Sequence, residues 1–178
     1  MIRKYFDVVL AMVLFIYCSS CSGSNTINHV EKVQEKAGTS IHSPEERTKV
    51  AIAKIVKFVK SNKGKKVGDG ECWALAHEAF RAAGIKQRDR PGVRVWGRLV
   101  DWKKESVQPG DILELRSAVF PYFRTGEYHT SVIVSEGNGG KFKTLEQNIY
   151  GKKYVVRNKY DLKTLSKGSV FVYRFEYK

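Results

Sequence analysis

The sequence predicts an α+β domain in which helices come first and an antiparallel sheet follows. Apolar residues recur at helical spacing between Pro44 and Gly84, and they alternate with polar residues after Pro91. Of the 178 residues, 42% are hydrophobic and 12% aromatic, which is enough for a core and too apolar for a disordered chain. Helices followed by a run of strands are typical of α+β domains with an antiparallel sheet.

The amino terminus has the pattern of a bacterial export signal. Two basic residues precede an apolar run at 8–17 that is too short to span a bilayer. Small residues before Cys21 resemble the end of a lipoprotein lipobox, so Cys21 is the predicted lipid attachment site. We expect residues 1–20 to be a signal peptide and residues 21–42 a polar tether. The alternative is ordinary cleavage close by, with release of the soluble protein.

Two helices are predicted at the start of the globular part, residues 43–178. Residues 43–46 supply a capping serine, a proline at the first helical position and a glutamate three residues after the cap. The helix that begins there is expected to end near residues 62–64. A second helix is predicted over residues 72–83, closed by Gly84, and its alanine stripe would let a neighbouring element approach closely.

Five strands are predicted in the second half of the chain. A Gly-Asn-Gly-Gly turn between the second and third strands indicates a hairpin. Closing this hairpin with a loop of residues 136–139 pairs His129 with Glu146 and makes Asn148 a diagonal neighbour. The five predicted strands cover residues 111–115, 129–135, 141–149, 154–160 and 169–177.

Cys72 is the strongest candidate for a functional residue, because it lies in the first turn of a predicted helix. A helix N-terminus favours negative charge and so lowers the pKa of a thiol placed there. Cys72 is also the cysteine that remains in the globular part, where an unpaired thiol in an exported protein needs an explanation. The alternative is that Cys72 is simply a small buried hydrophobic residue.

A nucleophilic cysteine needs a base, and histidine is the usual one. Of the four histidines, His29 and His42 lie in the predicted tether. His77 follows Cys72 by five residues and therefore points to another side of the helix. His129, at the start of a predicted strand, remains as the partner of the thiol.

A third polar group should orient the imidazole and stabilise its charged form. Glu146 and Asn148 are two residues apart on one predicted strand, so both side chains face the same side. We favour Glu146 as the orienting residue, because a carboxylate stabilises imidazolium whereas an amide adds no compensating charge. Asn148 is expected to contact the ring secondarily or to hold the end of the strand.

The sequence argues against metal and nucleic-acid chemistry, and no cofactor is expected. Arg81 stands four residues after His77, where a zinc-protease helix has its second histidine. One cysteine and one usable histidine cannot complete a zinc site, and no spaced aspartates suggest calcium. The net charge of +14 favours an anionic partner, and export makes an envelope polymer a better candidate than nucleic acid.

Four segments of the sequence carry a family resemblance: Gly-Glu-Cys-Trp-Ala at 70–74, Pro-Gly-Asp-Ile at 109–112, His-Thr-Ser-Val-Ile-Val at 129–134 and Leu-Glu-Gln-Asn at 145–148. Together they resemble the CHAP domain, the cysteine, histidine-dependent amidohydrolase/peptidase, a papain-like group related to the NlpC-type cell-wall peptidases. The resemblance covers about residues 68–148 and implies a papain-like α+β fold. It also implies Cys72 as nucleophile, His129 as base, and Glu146 with Asn148 as the supporting pair.

The resemblance implies an exported peptidoglycan hydrolase, either an N-acetylmuramoyl-L-alanine amidase or an endopeptidase. We expect a monomer in the cell envelope, anchored to a membrane through its lipid and facing the periplasm or the cell wall, or otherwise secreted. Glu71 stands where the family often has glutamine, and a carboxylate there would raise the pKa of the thiol. Two alternatives stay open: a non-catalytic basic lipoprotein that binds cell-wall polymers, and a cysteine amide hydrolase that acts on a protein.

Overall fold

The structure is a computed structural model that describes residues 43–86 and 96–178. Within these residues two α-helices pack against one antiparallel sheet, which confirms the predicted α+β class. The predicted signal peptide and the whole predicted tether, including Cys21, lie outside the described residues. None of the described helices is both long and apolar enough to cross a membrane.

Both helices begin where the sequence predicts. Helix α1 spans Pro44–Ser61, and its capping box is complete: the Glu46 amide donates to the Ser43 hydroxyl, and the Ser43 amide donates to the Glu46 carboxylate. Helix α2 spans Cys72–Ala82 and buries the predicted alanine stripe against α1 and the sheet. The stripe is what allows this close packing, because alanine adds little bulk at a helix contact.

The described sheet has seven strands where five are predicted. The two additional strands, β1 and β3, have three and two residues, which is too short to show an alternating pattern in the sequence. The strand order is β1-β7-β2-β4-β5-β6, and β3 pairs with β2. The strands are β1 Arg98–Val100, β2 Ile112–Phe120, β3 Phe123–Arg124, β4 Tyr128–Ile133, β5 Lys141–Glu146, β6 Val156–Asp161 and β7 Lys167–Arg174.

The sheet is buried on both faces around its centre. Ile112, Val132 and Leu145 pack against the helices, while alternate residues such as Ile133 and Phe142 belong to a second cluster that includes strand β6. Strands β2, β4 and β5 are therefore held from both sides. Strands β4 and β5 of this buried centre hold His129 and Glu146 of the candidate site.

The Pro-Gly-Asp-Ile segment at 109–112 has a structural role. The Asp111 carboxylate is buried and pairs with the Arg174 guanidinium at 2.8 and 2.9 Å, which ties the start of β2 to the end of β7. Gly110 has a left-handed φ of +94°, and a Cβ on it would lie 2.8 Å from Ile52 of helix α1. Glycine is required here by both the backbone and the space.

The predicted register of the hairpin between β4 and β5 is wrong by two residues. The structure pairs Val132 with Leu145 and Ile133 with Thr144, whereas the predicted register pairs them with Lys143 and Phe142. Gly137, in the connection between the two strands, exchanges two 3.1 Å backbone hydrogen bonds with Val107, outside the hairpin. A shift of two residues keeps every side chain on its predicted face.

Candidate active site

Cys72 is the first residue of α2, as predicted, and its side chain is half-buried. The thiol is hydrogen-bonded to the His129 side chain, and backbone hydrogen bonds from Trp73 and Thr130 also favour its anionic form. The structure thus brings together the two residues that the sequence selects as nucleophile and base.

His129 connects the thiol to a buried carboxylate. Its Nε2 lies 3.1 Å from Glu146 Oε2, and Glu146 is fully buried while His129 is 4% exposed. Because Nε2 of His129 is hydrogen-bonded to Glu146, Nδ1 is the ring nitrogen that is left to interact with the Cys72 thiol. The three groups form a chain of thiol, imidazole and carboxylate, the arrangement in which the third group orients the base and stabilises its charge.

The electrostatics of these three side chains favour a thiolate–imidazolium pair. Burial opposes charge on Cys72, but the hydrogen bond and the charge of His129 outweigh it and lower the pKa of the thiol. Burial likewise opposes charge on His129, but its contacts with Cys72 and Glu146 raise the pKa of the imidazole to about 9. An ionised thiol beside a protonated imidazole is the reactive form of a cysteine nucleophile.

Tyr160 of strand β6 contacts the Glu146 carboxylate and is not among the site residues predicted from the sequence. Its hydroxyl donates a 2.9 Å hydrogen bond to Glu146 Oε2, the same oxygen that faces His129. The ring is buried against Phe120, Phe123 and Phe142. Burial and the nearby Glu146 charge raise the pKa of Tyr160 well above its ordinary value, so the hydroxyl stays a donor.

Tyr160→Phe is expected to lower the turnover number about tenfold, because it removes a hydrogen bond to a buried charged group. KM should change little, since Tyr160 contacts Glu146 and is not among the residues that line the cleft. The pH profile of turnover should shift, because the Glu146 carboxylate loses a hydrogen-bond donor. Turnover over a pH range measures both effects. Tyr122→Phe is the matched control, because Tyr122 is 95% exposed. A variant that loses only thermal stability, with turnover and pH profile unchanged, would contradict the positioning role.

Asn148 lies beyond the end of β5 and is engaged elsewhere than at the imidazole. Its side-chain amide donates to Glu71 Oε2 at 2.6 Å, and its backbone has a left-handed φ of +56°. The Lys153 ammonium lies 2.6 Å from the other oxygen of Glu71. The Glu71 carboxylate is thus paired with the Lys153 ammonium and the Asn148 amide. This pairing offsets the negative charge that would otherwise raise the pKa of the Cys72 thiol.

Gln147 holds the loop that precedes Cys72. It is fully buried, and its side-chain amide donates 2.8 Å hydrogen bonds to the backbone carbonyls of Val67 and Glu71. The Val67 amide donates in return to the Gln147 side-chain oxygen. The end of β5 therefore positions both the carboxylate behind His129 and the backbone that leads into Cys72.

A cleft of about 330 Å³ opens beside Cys72. Glu114 and Arg116 of β2 contribute a carboxylate and a guanidinium to its wall. The other lining residues are Trp73, Tyr128, Thr130 and Tyr173. Within residues 43–86 and 96–178, no group of three or more histidine, cysteine or acidic side chains is arranged to hold a metal ion.

Comparison with known proteins identifies a family. A family model described as the AIM3/BBC1 cysteine proteinase-fold domain matches residues 45–176, which is most of the chain. Altered inheritance of mitochondria protein 3 from Debaryomyces hansenii is 30% identical over 142 residues. That alignment covers 67% of this chain and 15% of the yeast protein, so the chain spans a small part of its relative's length.

Two crystal structures of Ly7917, one of them with the hydrolyzing product of MDP, are also similar at 22% sequence identity. Their TM-scores are 0.45 and 0.44, and each comparison covers 69% of this chain and 62% of the Ly7917 chain.

Proposed function

Because the chain belongs to the AIM3/BBC1 family of cysteine proteinase-fold domains, we propose that it is a cysteine hydrolase of amide bonds. The observation that carries this proposal is that the Cys72 thiol contacts His129, which in turn contacts Glu146, with both His129 and Glu146 buried. A protein that merely binds polymers has no need to bury a carboxylate against a histidine that contacts a thiol at a helix N-terminus.

The proposed reaction has two steps. The Cys72 thiolate attacks the amide carbonyl, a C–S bond forms, and the C–N bond breaks as the His129 imidazolium gives its proton to the leaving amine. Water then attacks the thioester while neutral His129 takes its proton, and the C–S bond breaks to release a carboxylic acid and the thiolate. The backbone N–H of Cys72, at the start of α2, is positioned to help stabilise the oxyanion.

The substrate we favour is an amide bond of cell-wall peptides, as in the CHAP group. The segments that carry the CHAP resemblance contribute Cys72, Trp73 and Thr130 to the lining of the cleft. The net charge of +14 suits a polymer that bears carboxylates, mainly by promoting its capture. A peptide bond in a protein is the second candidate, and the similarity to a yeast protein favours it.

Incubation with two substrates distinguishes the candidates. Purified protein is mixed with peptidoglycan sacculi or with a set of unfolded proteins, and products are identified by mass spectrometry. New muropeptide ends that depend on Cys72 support the cell-wall substrate and separate amidase from endopeptidase products. Cleavage confined to the proteins supports the second candidate. Absence of Cys72-dependent products from both mixtures contradicts the hydrolase proposal.

The pH dependence of the reaction is expected to be broad. The active pair requires Cys72 without its proton and His129 with its proton. Since the pKa of Cys72 is lowered and that of His129 is raised to about 9, kcat/KM should be level near neutrality and fall above about pH 9. It should also fall in acid as the thiolate is protonated. An alkaline limb near pH 6.5, the ordinary value for histidine, would contradict this pairing.

We also propose that the protein is anchored in the cell envelope through Cys21. Cys21→Ser should move the protein from the membrane fraction to the soluble fraction and remove acyl mass from the mature amino terminus. A wild-type protein that is already soluble and begins after Cys21 would contradict the anchor and leave the hydrolase proposal untouched.

A further inference from the structure

We propose that the cleft beside Cys72 contains a subsite for an acidic amino-acid unit, in which Arg116 binds the carboxylate and Glu114 accepts a hydrogen bond from the unit's N–H. The inference rests on the proposed amide hydrolase and specifies its substrates as peptides with an acidic residue next to the scissile amide. The cleft volume of about 330 Å³ is at the small end of ligand sites, about 300–1,000 Å³.

Arg116 is presented to the cleft as an anion-binding group. Its guanidinium carbon lies 4.7 Å from the centroid of the Phe171 ring and 5.9 Å from that of Tyr128. Among residues 43–86 and 96–178, no carboxylate lies within ion-pair distance of it. An arginine stacked on aromatic rings keeps its N–H edge available, and that edge matches a carboxylate with two parallel hydrogen bonds.

Glu114 is a fixed acceptor at the back of the cleft. It is 9% exposed, and its Oε1 accepts hydrogen bonds from Trp96 Nε1 at 2.7 Å and from the Thr130 hydroxyl at 2.8 Å. No donor from the described part of the chain reaches Oε2. A carboxylate held through one oxygen leaves the other for a ligand, and burial strengthens a hydrogen bond made there.

The two groups lie in line with the nucleophile. Glu114 and Arg116 alternate along β2 and so face the same side, about 7 Å apart along the strand. The register places Thr130 opposite Glu114, and the backbone of Thr130 is hydrogen-bonded to the Cys72 thiol. A ligand that reaches from the thiol along the strand therefore meets Glu114 first and Arg116 second, the order of N–H and side-chain carboxylate in an acidic residue.

Binding to the inactive full chain tests the subsite separately from catalysis. The Cys72→Ala protein is titrated with acetylated tetrapeptide amides in which one glutamate is moved through each position, and with their glutamine counterparts. At one position we expect the glutamate peptide to bind at least about tenfold more tightly. Adding Arg116→Gln should reduce this preference to less than about twofold, and Arg116→Lys should keep part of it because lysine retains only the charge.

Arg157→Gln is the matched control, because Arg157 is an exposed arginine of β6 outside the cleft and its loss changes the net charge equally. A preference that survives Arg116→Gln in a folded protein overturns the proposal. Equal loss in Arg157→Gln, or no binding of any acidic peptide up to millimolar concentration, overturns it as well. The folding of each variant is checked by circular dichroism, and Arg116→Lys supplies the test if Arg116→Gln does not fold.

Turnover by the wild-type chain separates the two proposals. Hydrolysis of glutamate and glutamine peptides with equal kcat/KM would leave the hydrolase standing and contradict the subsite. Selective binding of acidic peptides without hydrolysis of any amide would leave the subsite standing and contradict the hydrolase. Hydrolysis that favours the glutamate peptide and loses this preference in Arg116→Gln supports both.

Discussion

Cys72→Ala is expected to abolish amide hydrolysis, with a loss on the order of 10⁴-fold or more, as when a nucleophile is removed from a catalytic triad. The thermal midpoint should stay nearly unchanged, because Cys72 is half-buried and alanine is the best helix former at the start of α2. Product formation measured by mass spectrometry, together with a thermal melt, checks both parts. Arg81→Ala, on the exposed side of the same helix, should keep full activity.

Alkylation gives a second measure of the same thiol that does not depend on knowing the substrate. Because His129 lowers the pKa of Cys72, iodoacetamide should modify it at neutral pH faster than it modifies a free cysteine. His129→Ala should slow this modification, because it removes the group that favours the thiolate. Slow alkylation of the wild type, combined with full activity of Cys72→Ala, would reject Cys72 as the nucleophile.

Local signals in the sequence were sufficient to place Cys72 at the start of a helix. The serine, proline and glutamate at the start of α1 form a capping box within four residues, and the start of α2 at Cys72 follows from the apolar period and the glycines around it. The side-chain contact between His129 and Glu146 was also found although the predicted register was wrong, because alternation along a strand fixes the face of each side chain. These features depend on residues close to one another in the chain.

Features that depend on distant residues could not be predicted. The predicted hairpin register is off by two residues, and the connection of the hairpin forms a bridge between Gly137 and Val107, which lies 30 residues earlier in the chain. The neutralising partner of Glu71 is Lys153, and Glu146 is supported by Tyr160 of a strand that pairs with β5. Nothing in the residue types marks these contacts, since exposed lysines and buried tyrosines are common in any α+β domain.

Glu146→Gln is the second large effect we expect. It should lower turnover by roughly 10²–10⁴-fold, by analogy with removing the charge from a catalytic triad. The fold should survive, because glutamine has the same shape and its oxygen can accept the hydrogen bonds from His129 and Tyr160. Thermal stability and turnover measured on the same preparation distinguish lost catalysis from lost folding.

The sign of the pH effect identifies how Glu146 acts. Its negative charge is one of the influences that raise the pKa of His129 to about 9, so the glutamine variant should lower that pKa. The alkaline limb of the kcat/KM profile should then move to lower pH, since imidazolium loses its proton earlier. A variant with reduced turnover and an unmoved alkaline limb would mean that Glu146 only orients the ring.

Asn148→Ala provides the contrast, because the side-chain amide of Asn148 donates its hydrogen bond to Glu71. It should cost less turnover than Glu146→Gln and leave the alkaline limb in place, since it removes no charge near His129. Its effect should instead resemble that of Lys153→Met, which removes the other partner of Glu71.

If Asn148→Ala were the more damaging change and Glu146→Gln nearly silent, the working site would be closer to the Cys-His-Asn arrangement of papain. Glu146 would then lose its assignment, while Cys72 and His129 would keep theirs.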